Sequence, residues 1–267
     1  MPTTSAKLHR ARAAKNDEFY TQYDDVKKEC DNYLSHFFNK IIYCNCDTAD
    51  SAFVKYFTEL KAAGKIRDVW FSGGLGGDDF RSPASLERLN AADIVVTNPP
   101  FSLFREFIDQ LIQYNKKFLV VGNMNSVIYR PLLTQIKENK IWFGVRRWTG
   151  GMNFITDNGM RGVSAIWYTN IAHGIIPPEL PFTKRVEMPA YDNADAVNVN
   201  KSSHLPPDYT GIVGVPISFL QWYNPEKFEI LGLAKDFTYD GKPCYINGDV
   251  LYTRLLIRRR FKNYLLP

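Results

Sequence analysis

The chain has 267 residues, 45% of them hydrophobic, and a formal net charge of +5. These values predict one large domain, or one domain with an appended region, with enough interior for a core. No run of eighteen apolar residues is present, which excludes a membrane-spanning helix. The stretch MPTTSAKLHRARAAKNDEF at the N-terminus lacks the apolar segment of a secretory signal.

The cysteines and histidines do not form a metal-binding pattern. Neither the four cysteines nor the four histidines have the spacing of zinc ligands. Cys44 and Cys46 lie in an apolar run, so we interpret them as buried free thiols in a strand rather than as a metal or redox site. Free thiols predict a reducing, cytoplasmic setting.

Positive charge is clustered rather than evenly spread. The clusters lie at residues 7–15, at Arg146 and Arg147, at Lys184 and Arg185, and at residues 254–262, and several have aromatic residues beside them. Basic charge interleaved with rings is typical of proteins that bind a polyphosphate such as nucleic acid. A solvated surface would explain the charge equally well.

The first half of the chain alternates between predicted helices and strands. The predicted elements are, in chain order, a basic helix or mobile arm (5–15), a helix (24–37), a buried strand (40–46), a helix (50–64) that stops at Gly64, a second strand (65–74), a glycine-rich loop (74–82), a helix opened by Ser82 and Pro83, and a third strand (93–97).

The same alternation continues to residue 171. The further elements are a helix (102–115), a strand (117–124), a helix (127–139), a strand (140–145), a glycine-bearing connection (149–162) and a strand (162–171). Strands alternating with helices predict an α/β fold with a mostly parallel sheet covered on both faces. The last two strands have no helix between them, so we expect them to pair as an antiparallel hairpin at the edge of the sheet.

Proline becomes dense after residue 172, in IIPPELP (175–181) and LPPDY (205–209). We therefore divide the chain into a core with a basic N-terminal arm, residues 1–171, and an appended, loop-rich C-terminal region, residues 172–267. Short strands are expected in the second region at 211–220 and 228–234.

The segment DIVVTNPPF, residues 93–101, ends a buried strand on an unusual group of side chains. In an open parallel sheet, ligands bind beyond the carboxyl ends of the strands. Two successive prolines stiffen the backbone and lack amide hydrogens, so we expect their carbonyls to be available to a ligand. The result is a rigid ledge with the amide of Asn98, the carbonyl of Pro99 and the ring of Phe101.

Such a ledge suits an amino group on a planar ring. Two acceptors that hold its hydrogens would draw the nitrogen toward tetrahedral geometry and free its lone pair, while Phe101 stacks on the base, which is worth about 1–3 kcal/mol. A duplex base must first leave the stack, at a cost of a few kcal/mol. The alternative is a strand that simply ends in a proline-rich turn.

The same segment resembles the catalytic motif of the amino-directed DNA methyltransferases, which use S-adenosylmethionine. In order along the chain, DEFYTQ, YCNCD, DFRS, ADIVVTNPPFSLF, GNMN, NKIWFG, YDNADAVNVNK, GVPISFL and NPEKFE resemble segments of the EcoRI-type adenine-specific DNA methyltransferases. The resemblance covers most of the chain. It implies a Rossmann-like methyltransferase sheet, and it makes GAATTC the first DNA site to test.

The resemblance also implies roles for matching residues. The catalytic set is Asn98, Pro99, Pro100 and Phe101. The cofactor-binding set is Phe19, Tyr20 and Thr21, followed by Gln22, then Cys44, Asn45, Cys46 and Asp47, and finally Asp78, Asp79 and Phe80. Helix capping is an alternative role for Tyr20 and Thr21, and the alternative for Asp79 is a loop carboxylate or a helix cap. The residues expected to bind DNA are Lys7, Arg10, Arg12, Lys15, Arg146, Arg147, Arg258, Arg259 and Arg260.

Two features depart from the general methyltransferase pattern. YCNCDTAD has no Gly-x-Gly, which the EcoRI-type enzymes also lack. The stretch from residue 58 to residue 78 holds one predicted strand where the general fold has two, so the sheet would be one strand short. After the second predicted strand (65–74), the first acidic residue is Asp78. Three explanations remain open: Asp78 holds the cofactor ribose, the contact with the ribose is weak, or the chain is an impaired relative.

The resulting hypothesis is a methyltransferase that acts on the exocyclic amino group of a flipped adenine in double-stranded DNA. It would work as a monomer, with a restriction endonuclease as a genetic partner. One alternative keeps the chemistry but acts on RNA or on a protein side chain. The other alternative is a nucleic-acid-binding relative that has lost its affinity for S-adenosylmethionine.

Overall fold

The computed structural model describes residues 20–72, 79–145, 151–156, 159–174 and 176–260. The chain divides into two compact units. The first comprises residues 1–132 and 140–174, and the second comprises residues 133–139 and 175–267. The first unit thus ends three residues beyond the boundary expected at residue 171.

The first unit alternates strands and helices. Its elements are β1 (Tyr20–Thr21), α1 (Tyr23–Cys30), α2 (Leu34–Phe37), β2 (Ile41–Cys44), α3 (Ala52–Ala62), β3 (Asp68–Phe71), α4 (Pro83–Ala91), β4 (Ile94–Thr97), α5 (Phe104–Gln113), β5 (Lys117–Asn123), α6 (Arg130–Lys137, which runs into the second unit), β6 (Trp142–Phe143), β7 (Met152–Thr156), β8 (Gly159–Val163) and β9 (Ala165–Thr169). Short 3-10 turns lie at Asp31–Tyr33, Phe101–Leu103 and Met124–Ile128.

Local chemistry explains where several helices begin and end. Ser51 and Ser82 cap α3 and α4, because their hydroxyl oxygens accept hydrogen bonds from the backbone of Val54 and Ser85. The stop expected at Gly64 is observed, with φ of 67° two residues beyond the end of α3. The helix expected over residues 127–139 begins only at Arg130, since a proline at position 131 belongs in the first turn of a helix.

The central sheet has six strands in the order β3-β2-β4-β5-β9-β6. Strands β3, β2, β4 and β5 run parallel to one another, while β9 is antiparallel to both of its neighbours. The predicted antiparallel pairing of the last two strands is therefore confirmed, with β6 at the edge and β9 inserted beside β5. The observed fold is a mixed α/β sheet.

Both faces of this sheet are buried. Side chains of α1 and α3, such as Cys30 and Phe57, form one core with alternate strand residues such as Ile42. On the opposite face, the ring of Phe104 from α5 packs against Tyr168 of β9, with centroids 5.2 Å apart. This arrangement explains why the strands appear in the sequence as continuous apolar runs.

Two expectations for this unit were wrong. The predicted strand 40–46 ends at Cys44, so Cys46 lies in the following turn and is half-buried. The predicted connection 149–162 and single strand 162–171 instead contain β7, β8 and β9, and β7 and β8 form a separate sheet with β1 in the order β1-β7-β8. Their mixed polar sequences gave no strand signal, and these strands are held by pairing of β7 with both β1 and β8.

The second unit has its own small sheet. Its strands are β10 (Val197–Asn198), β11 (Val213–Pro216), β12 (Phe228–Leu233), β13 (Tyr245–Ile246), β14 (Asp249–Val250) and β15 (Arg254–Arg259). The order β10-β11-β15-β12 places β15 inside the sheet, where Leu255, Leu256 and Ile257 are buried. Strands β13 and β14 form a hairpin whose turn, Asn247 and Gly248, has positive φ at both residues.

Neither a membrane span nor a metal centre is found in the described part of the chain. No helix there has the length and apolar character to cross a bilayer. Likewise, no group of three or more His, Cys, Asp or Glu residues there could hold a metal ion. The four cysteines are free thiols, and Cys30, Cys44 and Cys244 are buried.

Candidate active site

The carboxyl ends of three neighbouring strands are joined by hydrogen bonds. Because β2 and β4 pair in parallel, the turn after Cys44 lies beside the segment after Thr97. The backbone N–H of Cys46 donates to the hydroxyl oxygen of Thr97 at 3.1 Å. The hydroxyl of Ser72, just after β3, donates to the carbonyl of Asn45 at 2.5 Å. These bonds fix the loops that follow β2, β3 and β4 to one another.

Asp47 is a buried carboxylate at the centre of this junction. It accepts a hydrogen bond from the Thr97 hydroxyl at 2.5 Å, and also from the Ser51 hydroxyl and the backbone N–H of Asn98. Burial raises the pKa of Asp47 to about 7, although each of the three hydrogen bonds favours the ionised form and lowers it. The Asp47 carboxylate is thus hydrogen-bonded to groups of the protein itself.

The Asn98-Pro99-Pro100-Phe101 segment leaves β4 at this junction. Asn98 and Phe101 are half-buried, and Pro99 is buried. The carbonyl of Pro100 accepts a hydrogen bond from the N–H of Leu103 at 3.0 Å, which closes the 3-10 turn Phe101–Leu103. The expectation that both proline carbonyls are available was therefore wrong for Pro100, and the acceptor role falls on Pro99 alone.

Phe101 lies next to the three-stranded sheet that contains Tyr20 and Thr21. Its ring meets that of Phe154 edge-on, with centroids 5.9 Å apart and planes at 87°. Phe154 in β7 is in register with Thr21 in β1, and the side chain of Gln22 donates to the carbonyl of Asn153 at 2.8 Å. The N-terminal element and the Asn-Pro-Pro-Phe segment are thus brought together through Phe154.

Two buried polar atoms near these strand ends have no hydrogen-bond partner among the described residues. They are the side-chain nitrogen of Asn45, a residue only 1% exposed, and the hydroxyl of Thr21, a residue 8% exposed. A buried polar group left unsatisfied costs about 1–3 kcal/mol. A ligand with polar groups that binds at these strand ends would remove that cost.

Asp79 and Phe80 precede α4 and are held by Arg81. The guanidinium of Arg81 forms a bidentate ion pair with Asp79, with distances of 2.6 and 2.8 Å, and also binds Glu106 at 2.7 Å. Phe80 is buried, its ring packs edge-on against Phe107, and Arg81 lies over it at 5.1 Å. The expected cofactor-binding residue Asp79 is therefore already ion-paired.

The three expected DNA-binding arginines of β15 and its end differ in their surroundings. Arg258 forms an ion pair with Glu229 at 2.7 Å. Arg259 is half-buried over the ring of Phe228, and burial lowers its pKa; its Nε atom has no hydrogen-bond partner within the described residues. Arg260 is exposed, and its backbone N–H donates to the carbonyl of Lys227.

The other expected site residues lie outside the described residues. These are Phe19, Asp78, Lys7, Arg10, Arg12, Lys15, Arg146 and Arg147.

Sequence reasoning missed Thr97, Ser51 and Phe154. Thr97 stands directly before Asn98 at the end of a buried strand, and a fully buried hydroxyl there needs a partner, which was a usable signal. Phe154 gave no such signal, because its contact with Phe101 joins distant parts of the chain that no local pattern relates.

Comparison with known proteins gives consistent matches along the chain. The family model described as adenine-specific methyltransferase EcoRI matches residues 7–64 and 61–260. The Type II methyltransferase M.EcoRI of Escherichia coli is 40% identical over 319 residues, covering 96% of this chain and 97% of the relative. A Type II methyltransferase of Mycoplasma genitalium is 36% identical over 317 residues, covering 95% of this chain and 98% of its own.

A more distant relative is the Type II methyltransferase M.MpnI of Mycoplasma pneumoniae, which is 29% identical over 314 residues and covers 95% of this chain and 98% of its own. A solved structure from Pyrococcus horikoshii, proposed in its title to be an RNA methyltransferase, covers 66% of this chain and 100% of its own. Its TM-score is 0.33 and its identity 14%, too distant to support any statement about this chain.

The alignment with the Escherichia coli relative is longer than this chain. It spans 319 residues, whereas the chain has 267, so the relative contains residues that have no counterpart here. The family model matches in two pieces that meet at residues 61–64, between α3 and β3.

Proposed function

This chain belongs to the family of adenine-specific EcoRI methyltransferases, and on that premise we propose that it transfers a methyl group from S-adenosylmethionine to the exocyclic amino group of an adenine flipped out of duplex DNA. That the chain is a methyltransferase follows from its family and from relatives that cover nearly its whole length. The donor, the acceptor atom and the duplex substrate are the proposal.

The proposed function rests mainly on the position of Asn98, Pro99 and Phe101. They leave β4 where its carboxyl end lies beside that of β2, and hydrogen bonds to Cys46 and Asp47 hold the end of the strand in place. Asn98 contributes an amide, Pro99 a carbonyl, and Phe101 an aromatic ring. Ligands bind at this edge of an open α/β sheet.

These three groups suit an adenine amino group. The side-chain oxygen of Asn98 and the carbonyl of Pro99 would accept its two hydrogens, which favours tetrahedral nitrogen with a free lone pair. Phe101 would stack on the flipped base and offset the loss of base stacking. Catalysis would then consist of positioning and of electrostatic stabilisation at the nitrogen.

The residues around the strand ends fit the methyl donor. S-adenosylmethionine, when bound, supplies an electrophilic methyl group on a sulfonium. Asn45 and Thr21 each contribute a buried polar atom without a partner among the described residues, as expected where a ligand completes a site. Tyr20, half-exposed, and the turn at Cys46 would line the same region, while Asp79 and Phe80 would contribute from the start of α4.

The order of the central sheet supports the Rossmann-like arrangement of these enzymes. Four parallel strands are followed by β9, which runs antiparallel between β5 and β6. Among the described residues, the stretch from residue 58 to residue 78 holds one strand, β3, which supports a sheet one strand shorter than the general methyltransferase fold. The ribose of the cofactor would then be held by Asp78 or by fewer contacts.

The second unit would bind DNA and recognise the target sequence. Arg258, Arg259 and Arg260 lie along β15 and its end, and Arg258 and Arg260 are exposed. Lys7, Arg10, Arg12, Lys15, Arg146 and Arg147 would add phosphate contacts, which position a protein on DNA without reading its sequence. A monomer that modifies one strand at a time, with a restriction endonuclease as its genetic partner, completes the proposal.

The short stretch from residue 58 to residue 78, with one strand among its described residues, favours one other candidate, a nucleic-acid-binding relative that no longer binds the cofactor. Titration calorimetry with S-adenosylmethionine separates the two. Heat of binding at micromolar to millimolar cofactor supports the enzyme, and no heat from the folded protein at millimolar cofactor supports the binding protein.

The decisive experiment is methylation of mixed plasmid DNA with labelled S-adenosylmethionine, followed by sequencing that detects modified adenine. Label in duplex DNA at adenine within a fixed sequence, with GAATTC as the first site to examine, supports the proposal. Parallel reactions with RNA and with protein test the alternative acceptors. Label in RNA or protein alone overturns the choice of DNA.

A further inference from the structure

We propose that Asp47 is a positioning residue for methyl transfer, because it fixes the backbone at Asn98 and the hydroxyl of Thr97 to the loop after β2. This inference rests on the proposed function and concerns the same site. It assigns Asp47 a different role from the cofactor contact that the sequence suggested.

The geometry shows a carboxylate that three protein donors surround. Thr97 donates its hydroxyl at 2.5 Å, and Ser51 and the N–H of Asn98 also donate to Asp47. The Thr97 oxygen in turn accepts the N–H of Cys46 at 3.1 Å, and the Ser51 oxygen accepts the N–H of Val54 at 3.2 Å. Asp47 therefore connects the end of β4, the turn after β2 and the first turn of α3.

The bond from the Asn98 backbone matters most for the reaction. Because Pro99 follows Asn98, the ψ angle of Asn98 is already restricted. Fixing its N–H to a buried carboxylate restricts the same residue from the other side, and the direction of its side-chain amide is then set by the protein before a base arrives. Misplacing a reacting group by about 1 Å can lower a rate about a hundredfold.

The ionised carboxylate is the stronger acceptor for all three donors, and each of their hydrogen bonds favours it. Protonation would turn one oxygen of Asp47 into a donor, and the backbone N–H of Asn98 cannot reverse its role. No cation among the described residues contributes to the shift of the Asp47 pKa, and the buried, titratable thiol of Cys44 interacts with the Asp47 carboxylate. The arrangement at Asn98 should therefore weaken as pH falls below about 7.

The test compares two threonine variants in the full-length protein. Thr97→Val removes the hydroxyl between Asp47 and Cys46, and Thr97→Ser keeps it. We expect kcat for transfer to duplex DNA to fall about tenfold to a hundredfold in Thr97→Val, with the Kd values for DNA and S-adenosylmethionine within about threefold of the unaltered protein. Thr97→Ser should remain within about threefold in all three quantities.

Thr169→Val is the matched control. Thr169 is also a fully buried threonine near a strand end, where its hydroxyl donates to Phe118 at 2.7 Å and accepts the N–H of Ile171 at 3.0 Å. It lies in β9 beside the amino end of β5, whereas Asp47 follows the carboxyl end of β2. We expect Thr169→Val to be destabilised to a similar degree as Thr97→Val, yet to keep kcat within about twofold.

A second readout is the pH profile of kcat at saturating DNA and cofactor. The unaltered protein should lose activity as pH falls through about 7, and Asp47→Asn should have a lower kcat without that decline. If Asp47→Asn does not fold, the threonine pair and the profile of the unaltered protein still decide the matter. Unchanged kcat in Thr97→Val, or equal losses in Thr97→Val and Thr169→Val, would overturn the positioning role.

The two proposals can fail separately. If the unaltered protein binds DNA and cofactor but transfers no methyl group, the proposed function fails. If it methylates DNA and Thr97→Val does so equally well, only the positioning role of Asp47 fails.

Discussion

The ring of Phe101 meets the ring of Phe154 edge-on, with 5.9 Å between their centroids and 87° between their planes. Phe154 is fully buried and in register with Thr21. An edge-to-face pair of this kind contributes about 0.5–1.5 kcal/mol beyond the burial of its area. The contact fixes the orientation of the Phe101 ring and joins the end of β4 to the sheet that contains the N-terminal element.

We predict that Phe101→Ala weakens the capture of a flipped base. Loss of one base–aromatic stack costs about 1–3 kcal/mol, so the fluorescence increase of 2-aminopurine placed at the target adenine should largely disappear. Phe101→Trp keeps an aromatic face and should retain most of the signal. An increase in Phe101→Ala equal to that of the unaltered protein would contradict a stacking role.

Asn98→Ala should abolish methyl transfer while DNA affinity stays within a few-fold. The variant removes the amide that would hold the amino group but leaves phosphate contacts unchanged. Asn170→Ala is the control. Asn170 forms hydrogen bonds with the backbone of Lys116 and Phe118 at the amino end of β5, whereas the candidate site lies at the carboxyl ends of the parallel strands. That control should lose stability but keep transfer, whereas full activity in Asn98→Ala would defeat the role assigned to Asn98.

Asp47 should make the stability of the protein depend on pH between about 4 and 7. Its pKa is raised from 3.8 to about 7 in the folded state, so its stabilising contribution is complete below pH 4 and is lost as pH rises through 7. The shift corresponds to about 4 kcal/mol at most. The difference in free energy of unfolding between the unaltered protein and Asp47→Asn, measured with urea, should fall by a few kcal/mol across this range.

Asp50→Asn is the control for this measurement. Asp50 is exposed and accepts a hydrogen bond from Thr48, which lowers its pKa. Its effect on stability should therefore be constant from pH 5 to pH 7. A difference for Asp47→Asn that is equally constant would show that the carboxyl is not perturbed as described.

The salt dependence of DNA binding should identify the phosphate contacts of β15 and its end. Each arginine that neutralises a phosphate contributes about one to the slope of log K against log salt, so Arg260→Ala should reduce the slope by about one. Glu229→Gln should strengthen binding, because it releases Arg258 from its ion pair.

Arg67→Ala serves as the control for the slope. Arg67 is exposed and pairs with Asp93 at the amino end of β4, opposite the candidate site. Its removal should leave the slope unchanged. An equal reduction in Arg67→Ala and Arg260→Ala would mean that binding responds only to net charge.

Much of the first unit could be predicted from the sequence because its signals are local. Short apolar runs predicted β2, β4 and β5, the Ser82-Pro83 pair predicted the start of α4, and Gly64 predicted the stop after α3. The helix predicted over residues 127–139 is shorter in the structure, because Pro131 favours a helix that begins at Arg130. Strands β7 and β8 were missed, because their mixed polar residues give a weak local signal and the pairing of β7 with β1 and β8 places them in a sheet.

The sequence by itself determined that Asn98, Pro99 and Phe101 follow a buried strand, because strand propensity and proline geometry act between neighbouring residues. That position was enough to expect these residues at the ligand-binding edge of the sheet. Only the tertiary structure decided what surrounds them. The bond between Thr97 and Asp47 joins residues 50 positions apart, and the contact between Phe101 and Phe154 likewise joins distant parts of the chain. Strand order and register are set by burial of the whole sheet, which no short stretch of sequence specifies.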